Sequence, residues 1–496
     1  MSRSLFSATF VLSLALLAGR LTGLLRELGL ATVFGVSPEA DLAVLLLTLP
    51  DLLVNLLISG GISAALVPRF SALQGDEALV LFRQFSAAVL VLFGLAGGAL
   101  VLYPHVFFHL LAPGVDAAAV GTDSLVAVAV ALPLSGVAGV TGAYLNSRQR
   151  FMLVGCGTLF FNVGVLAALL FARHHAQPLS WLAFGIAAGA ALRWIAQMVM
   201  IPARAWRVPA PGRLVDRALL RAFMFATLAA AMTLLAPVVI RAMASTLGEG
   251  SVASFNYAQK LVELPVTILL ASIGTVALSR MSALYSEGKA DAALALAVQN
   301  TRHALLLGCT VLLFGWFFAA PAVHVVFAAS HMSDEAMARI AGLTAFAMLG
   351  APCAGVTGIA TALLNAGGRT RDVFKVSAGA LLLLPLLALP GLLLKSENAL
   401  MLAVVGVQAV TAVWLARIAR LPMFGRGALS GALASAHFGM VLALALACAG
   451  AASLIAPSHN LLRLLLAAAG FLVAMAVPIR RFLRFSTDSL PQSAVS

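Results

Sequence analysis

Charged residues are scarce in this chain. Asp, Glu, Lys and Arg make up 10% of its 496 residues, whereas soluble globular domains carry about 25%. Hydrophobic residues make up 62% and the mean hydropathy is +1.04, so polar side chains are too few to cover a water-exposed surface. This composition excludes a water-soluble enzyme, a secreted domain and a disordered chain. It indicates a bilayer as the solvent, with apolar helices of about 20 residues as the spanning units.

Acidic residues are fewer still, because 18 Asp and Glu stand against 31 Lys and Arg, a net charge of +13. In a membrane protein this excess first indicates topology, so nucleic acid is not expected as a partner. Cysteine is also rare, and the four cysteines lie in apolar stretches without metal-like spacing. We expect them to be buried and unpaired. The sequence holds no Walker-type phosphate loop, which disfavours direct ATP hydrolysis, and we expect no metal or cofactor.

Apolar runs between polar or Pro/Gly-rich breaks predict an all-α polytopic membrane protein with about 14 transmembrane helices. The first run continues through Arg20 and Arg26 without a clear cleavage site, so we expect a retained first span. Short loops leave no room for a substantial soluble domain. The predicted spans are 5–33, 40–67, 84–112, 124–146, 152–172, 179–202, 219–246, 251–279, 303–328, 336–364, 376–394, 399–416, 428–455 and 461–479.

The basic residues divide unequally between the two sides of this predicted topology. With a cytoplasmic N-terminus, 22 of the 31 Lys and Arg fall on the inner side and 4 on the outer side. Cytoplasmic loops are enriched in Lys and Arg, so both termini are predicted to be cytoplasmic. The remaining five fall inside spans: Arg20, Arg26, Arg193, Arg241 and Lys260.

An internal repeat relates the two halves of the chain. PLSGVAGVTGAYLN at Pro133–Asn146 and PCAGVTGIATALLN at Pro352–Asn365 match at 7 of 14 positions, and an Arg-x-Arg pair follows each. A second correspondence links Leu49-Pro50, Gly60-Gly61 and 69–73 with Leu264-Pro265, Gly274 and 280–284.

The repeat pairs span 2 with span 8 and span 4 with span 10, so it predicts two six-helix parallel repeats plus a C-terminal helix pair. Such repeats flank a central site in transporters. We predict an N-terminal lobe over 1–215, a C-terminal lobe over 216–426 and a C-terminal hairpin with a cytoplasmic tail over 427–496.

Span 1 carries charges where the bilayer is expected. It reads GRLTGLLRE at 19–27, and charges at mid-membrane usually face an aqueous cavity or a partner. Gly19 and Gly23 could bend this helix and bring Arg20 and Arg26 to one cavity. The alternative is that Arg26 reaches the outer interface, with Glu27 as its neutralising neighbour.

Other charges deep in the predicted spans make the interior cationic overall. In span 8, Lys260 and Glu263 share a face at i, i+3, and the pair could be structural or functional. Asp51 lies in span 2, while Arg193 and Arg241 look isolated and could simply bind backbone carbonyls. Five cations against Glu27, Asp51 and Glu263 favour an anionic cargo, and arginine suits phosphate oxygens. Glu39 and Asp41 could also be read as the metal pair of a membrane glycosyltransferase, which the lack of a large outer domain disfavours.

The order and spacing of several motifs resemble the MurJ/MviN family. The stretch 19–70 follows the pattern R-x-x-G-x-x-R-[DE], then an Asp before an L-P-[ND]-L-L segment, then G-x-x-x-x-A-x-V-P. Further matches are LNSRQRF at 145–151, NYAQKLVELP at 256–265 and GGRTRDVFK at 367–375. The resemblance covers essentially the whole chain.

This resemblance implies a flippase, not an enzyme, of the multidrug/oligosaccharidyl-lipid/polysaccharide exporter superfamily. The family is understood to move lipid II, the undecaprenyl-pyrophosphate-linked peptidoglycan precursor, to the outer face. We therefore expect this chain to be an alternating-access flippase of a bacterial inner membrane. Partners would be this polyprenyl-pyrophosphate-linked glycan and membrane lipids, with cell-wall synthesis proteins as candidates. The resemblance implies substrate-binding roles for Arg20, Arg26 and Asp41, with Lys260 in place of a family arginine, and we add Glu263, which shares a helix face with Lys260.

Three positions depart from the family pattern and leave the substrate open. A basic position falls on Val54, a glutamate on Ser59, and an acidic residue on Gln259. The cavity would then carry less charge than is typical of the family. The alternatives are a flippase for a capsule or exopolysaccharide repeat unit on the same lipid carrier and, less favoured, a cation-coupled drug antiporter.

Overall fold

The computed structural model describes residues 3–56, 66–73, 75–207, 212, 215–330, 332–421 and 435–488. Within these ranges the chain is helical throughout, with no β-strand. The all-α membrane architecture predicted from the composition is therefore confirmed. The helices are α1 Arg3–Phe34, α2 Pro38–Leu56, α3 Val67–Ala72, α4 Gly75–Leu102, α5 Pro104–Leu111, α6 Thr122–Ser147, α7 Phe151–Gly155, α8 Gly157–Ala172, α9 Pro178–Met198, α10 Arg217–Ala244, α11 Ser251–Val266, α12 Ser272–Ser286, α13 Ala290–Val326, α14 Asp334–Met348, α15 Ala351–Ala366, α16 Thr370–Leu393, α17 Glu397–Ile418, α18 Ala436–Ser453 and α19 Asn460–Asp488.

Eight helical segments in the described ranges are long and apolar enough to cross a bilayer, when α7 and α8 are counted together as one segment over 152–172. A ninth span results if α14 and α15, which meet at a 41° bend, are taken together. Helices such as α1 and α11 carry several charges within their lengths. The chain is thus a multi-pass membrane protein, while the number of 14 spans stays a prediction.

Packing divides the chain into two compact units. The first comprises 1–256 with 329–332, and the second comprises 257–328 with 333–496. In the first, α4, α6 and α9 enclose a core that includes Phe82, Val140 and Leu145. In the second, α12, α13, α15 and α17 enclose a core around Met281 and Ile359. The lobe boundary predicted after residue 215 follows the repeat, and it stays a prediction.

The two copies of the repeat end in the same helix-terminating turn. After α6, the Arg150 amide donates to the Leu145 carbonyl at 2.9 Å, and after α15 the Arg369 amide donates to the Leu364 carbonyl at 2.8 Å. The residue before each arginine has a positive φ, 60° at Gln149 and 72° at Gly368, as this helix ending requires. Arg150 therefore corresponds to Arg369, so the two Arg-x-Arg pairs are offset by two residues.

The last two described helices pack on each other and on α13. Phe314 and Phe318 of α13 contact Val441 and Ala445 of α18 and Ala474 of α19. The predicted C-terminal helix pair is thus present, and within the second unit an apolar cluster joins it to α13. All four cysteines are free, as expected, but two of them are half-buried rather than buried: Cys156 and Cys353.

Candidate functional site

Close packing of α1 on α8 positions the first polar contacts of the candidate site. At Gly19 a Cβ atom would lie 3.3 Å from Thr158, and at Gly23 it would lie 3.5 Å from the Asn162 amide. Because neither glycine has a side chain, Asn162 reaches α1 and donates to the Gly19 carbonyl at 3.1 Å. The two glycines therefore serve helix packing, and α1 continues unbroken from residue 3 to 34.

Arg26 lies at the centre of a buried ion-pair cluster. Its Nη2 atom is 2.9 Å from Glu27 Oε1 and 3.1 Å from Asp51 Oδ2, and Nη1 donates to Asn162 Oδ1 at 3.3 Å. Arg26 is 6% exposed and Glu27 is 2% exposed, so the arginine does not reach an outer interface. Two carboxylates hold this one guanidinium.

The cluster continues through amide and hydroxyl side chains to α10. Asn256 donates to Glu27 Oε2 at 2.6 Å and accepts from Arg241 Nη2 at 3.0 Å. Arg241 also donates to the Thr48 hydroxyl at 2.9 Å. The network thus joins α1, α2, α8, α10 and the first turns of α11 in the first unit. The sequence suggested backbone carbonyls as partners of Arg241, and the structure shows that it binds the side chains of Thr48 and Asn256.

Arg20 lies outside this network. Its side chain is exposed, and within the described part of the chain it makes no ion pair or hydrogen bond. A guanidinium on a predicted membrane span that has no protein partner is available to an anion. Arg20 and Arg26 therefore differ in this structure, since one cation is open and the other is neutralised.

Asp41 binds backbone amides at the start of α11. Its Oδ2 atom accepts from the Gly250 amide at 2.8 Å, and Oδ1 accepts from the Ala253 amide at 2.7 Å. Gly250 has a φ of +71°, and a Cβ there would lie 2.5 Å from Val36 Cγ1, so only glycine fits this close approach. Asp41 is 2% exposed. It stays a predicted substrate-binding residue, and its carboxylate caps a helix in this structure.

We expect Asp41→Ala to lower the free energy of unfolding by about 2 kcal/mol, because two hydrogen bonds from backbone amides to a carboxylate are lost. Thermal unfolding of the purified protein in detergent measures the effect. Glu39→Ala is the control, since Glu39 is exposed on the first turn of the same helix. An unfolding temperature equal to that of the wild type would show that the cap adds nothing to stability.

The second unit carries the remaining predicted site residues. Lys260 and Glu263 form the expected ion pair on α11, with 2.8 Å between Nζ and Oε2. Their side chains are 32% and 55% exposed, so the pair is accessible and its contribution to stability is small. Both residues stay predicted binding positions.

The sequence did not identify the polar partners of Arg26. Asn162 and Asn256 are each among the few amide side chains in their predicted spans, and an uncharged polar residue in a span is a weak signal. The structure shows that both are buried and bonded to charged groups. Within the described ranges no group of three or more His, Cys, Asp or Glu residues could hold a metal ion. Ser59, one of the positions that depart from the family pattern, lies outside the described residues. The glycine pair of the repeat, Gly60-Gly61, lies outside them as well.

Comparison with known proteins identifies a family whose sequences and folds are similar to this chain. The sequence profile of the family described as "Lipid II flippase MurJ" matches residues 30–469, a range that begins after Arg20 and Arg26. The Lipid II flippase MurJ of Burkholderia cenocepacia is 28% identical over 348 residues, which are 65% of this chain and 66% of that protein. The Probable lipid II flippase MurJ of Thermotoga maritima is 26% identical over 280 residues, which are 55% of this chain and 57% of that protein. The matched segments thus span less than two thirds of each of these relatives, 66% of the first and 57% of the second.

Solved structures of two transporter types share the fold. A lipid II flippase MurJ in an inward closed conformation superposes with a TM-score of 0.79 and 17% identity, covering 96% of this chain and 100% of that one. An inward-facing multidrug resistance MATE family transporter of the MOP superfamily superposes with a TM-score of 0.68 and 13% identity, covering 81% and 94%. At these identities the likeness concerns the fold.

Proposed function

Because this chain belongs to the lipid II flippase MurJ family, we propose that it moves lipid II from the cytoplasmic to the outer leaflet of a bacterial inner membrane. The diphosphate and its sugar–peptide group would pass through the protein by alternating access, while the prenyl tail remains in lipid. The single observation that carries this proposal is the family match over residues 30–469. Arg20 supports it, since this exposed guanidinium on α1 has no protein partner among the described residues and suits a phosphate oxygen.

We infer that Arg20 makes the first contact with the diphosphate. It is exposed and, among the described residues, has no protein partner. Arg26 and Lys260 follow, because each must first exchange a carboxylate for a phosphate oxygen: Arg26 is paired with Glu27 and Asp51, and Lys260 with Glu263. Glu263 then acts as the counter-ion that keeps Lys260 neutralised between transport cycles.

The topology of the proposal rests on the distribution of charge. The 22 Lys and Arg on the predicted inner side against 4 on the outer side support cytoplasmic termini. As partners of the chain, we propose the membrane lipids around it and the cell-wall synthesis proteins that supply or use lipid II.

Native mass spectrometry of the purified protein with lipid II tests the proposal. We expect Arg20→Ala to weaken binding about tenfold, because losing one charge-assisted contact costs about 1.4 kcal/mol. Arg173→Ala is the matched control, since Arg173 is exposed just after α8. Equal binding by wild type and Arg20→Ala would remove Arg20 from the site.

A second candidate substrate is a capsule or exopolysaccharide repeat unit on the same lipid carrier. The departures at Val54 and Gln259, which make the interior less charged than the family pattern, favour it. The same measurement separates the two candidates. Binding of a lipid-linked repeat unit but not of lipid II would assign this chain to the second substrate.

A further inference from the structure

A buried arginine on α9 has no partner in the part of the chain that the structure describes. Arg193 is 3% exposed, its Nε atom has no hydrogen-bond acceptor, and among the described residues its side chain makes no ion pair. Buried charges in proteins are normally paired, because removing a charge from water is costly. The guanidinium of Arg193 therefore calls for an anionic group that reaches it in another state of the protein.

Gln197 lies one turn further along α9 and shares this environment. It is fully buried, and both its amide nitrogen and its amide oxygen lack partners. Both side chains pack over Gly157, at the start of α8: a Cβ atom there would lie 3.1 Å from Arg193 Nε and 3.2 Å from Gln197 Nε2. The Arg193 guanidinium and the Gln197 amide, both with unsatisfied N–H donors, therefore lie close together inside the first unit.

The carboxylates of this unit are distributed unevenly. Arg26 has two of them, at 2.9 and 3.1 Å, and Arg193 has none. Glu27 is held in place, because it is buried and Asn256 also binds it. Asp51 is the freer of the two acids, since its side chain is 37% exposed and its described contact is with Arg26.

Asp51 is also the acid on a helix that neighbours Arg193. Helix α2, which carries Asp51, packs directly on α9, and the Asp51 charge acts electrostatically on Arg193. If the Asp51 carboxylate moved from Arg26 toward α9, each arginine would have one carboxylate, Glu27 at Arg26 and Asp51 at Arg193. The Arg193 guanidinium, which has no partner among the described residues, would then be paired.

We propose that Arg193 and Gln197 form a second binding site for the Asp51 carboxylate. Asp51 leaves Arg26 and moves to this site when the substrate's diphosphate binds at Arg26. The inference rests on the proposed function. Arg193 is then a positioning residue that acts through Asp51: by holding this carboxylate, it removes one of the two negative charges that compete with the diphosphate for Arg26. Its own buried charge gains a partner in the same step.

The test is the affinity of the full-length protein for undecaprenyl pyrophosphate, measured in lipid nanodiscs. We expect Arg193→Met to weaken binding about tenfold, the effect of about one charged contact. In the Asp51→Asn background the competing charge is gone, so Arg193→Met should then have no effect. A merely structural role for Arg193 would weaken binding equally in both backgrounds, which would overturn the proposal.

Gln197→Glu provides a second variant that keeps Arg193. It places a carboxylate beside Arg193 and so permanently occupies the second binding site proposed for Asp51. It should weaken binding as Arg193→Met does, and again only when Asp51 is present. Arg173→Met, on the exposed residue after α8, is the control and should bind as the wild type does. Unchanged binding by both Gln197→Glu and Arg193→Met would overturn the proposal.

A measurement without lipid separates this inference from the proposed function. Unfolding temperatures of the wild type, Asp51→Asn, Arg193→Met and the double variant form a mutant cycle, measured with inorganic pyrophosphate present as the anion at Arg26. We expect Asp51→Asn to lower the unfolding temperature less when Arg193 is already replaced. If the wild type binds no polyprenyl diphosphate, the proposed function fails, and a coupled cycle still supports the Asp51–Arg193 pairing. Additive effects, or an unfolding temperature that depends on chloride but not on Asp51, would overturn the pairing in favour of an inorganic anion.

Discussion

Replacing Arg26 with methionine is expected to abolish growth of a cell that depends on this chain as its lipid II flippase, and to destabilise the protein as well. Without the guanidinium, Glu27 remains a buried carboxylate facing Asp51. Removing one partner of a buried ion pair costs about 3–5 kcal/mol, because an uncompensated charge stays behind. Complementation in a depletion strain measures the first effect, and thermal unfolding in detergent measures the second.

Companion variants separate the two roles of Arg26. Arg26→Met combined with Glu27→Gln should recover much of the lost stability, because the orphaned charge is gone, but it should not restore growth. Arg26→Lys keeps the charge and loses the fork that contacts Glu27, Asp51 and Asn162 together, so an intermediate result is expected for both measurements. Full complementation by Arg26→Met would remove this residue from the transport mechanism.

The architecture was predictable from the sequence because it follows from composition and repeats. A chain with 10% charged residues has to bury its backbone polar groups in helices within a bilayer. The repeat was visible because helix-ending residues recur: Leu145 and Leu364 each accept the amide of an arginine five residues later. The number of spans was less accessible, because a hydrophobic run does not show where a helix such as α14 bends into the next.

The partners of the deep charges were not predictable. Arg193 and Arg241 look alike in sequence, as single arginines in apolar spans. In the structure Arg241 binds Thr48 and Asn256, which are 193 and 15 residues away, while Arg193 has no partner among the described residues. Such differences depend on which helices meet, and a single sequence contains no signal for that. Span 1 alone therefore left open whether Arg26 faced a cavity or the interface.

Glycine roles were similarly hidden, because glycine marks both bends and close contacts. Gly19 and Gly23 suggested a bent helix, whereas the structure uses them to bring α8 against α1. Helices α8 and α9 approach even more closely. At Gly164 a Cβ atom would lie 2.5 Å from the Gly189 Cα and 2.6 Å from the Gly189 amide nitrogen. This contact lies two residues after Asn162 and four residues before Arg193, so it sets the positions of both.

We expect Gly164→Leu to prevent α8 and α9 from packing, because backbone atoms of Gly189 occupy the space that the new side chain needs. Overpacking typically costs about 1–3 kcal/mol, occasionally more, and here the obstacle is backbone that cannot change rotamer, so the cost should be at or above the upper limit. The yield of monodisperse protein in size-exclusion chromatography and the unfolding temperature measure this cost.

Gly98→Leu is the control, because Gly98 is an exposed glycine on α4 with no atom within 4 Å of its Cβ position. Any folded Gly164→Leu protein should also bind lipid II weakly, since α8 carries the Asn162 that contacts Arg26. Recovery of this variant at the yield and unfolding temperature of Gly98→Leu would show that the α8–α9 contact does not determine the site.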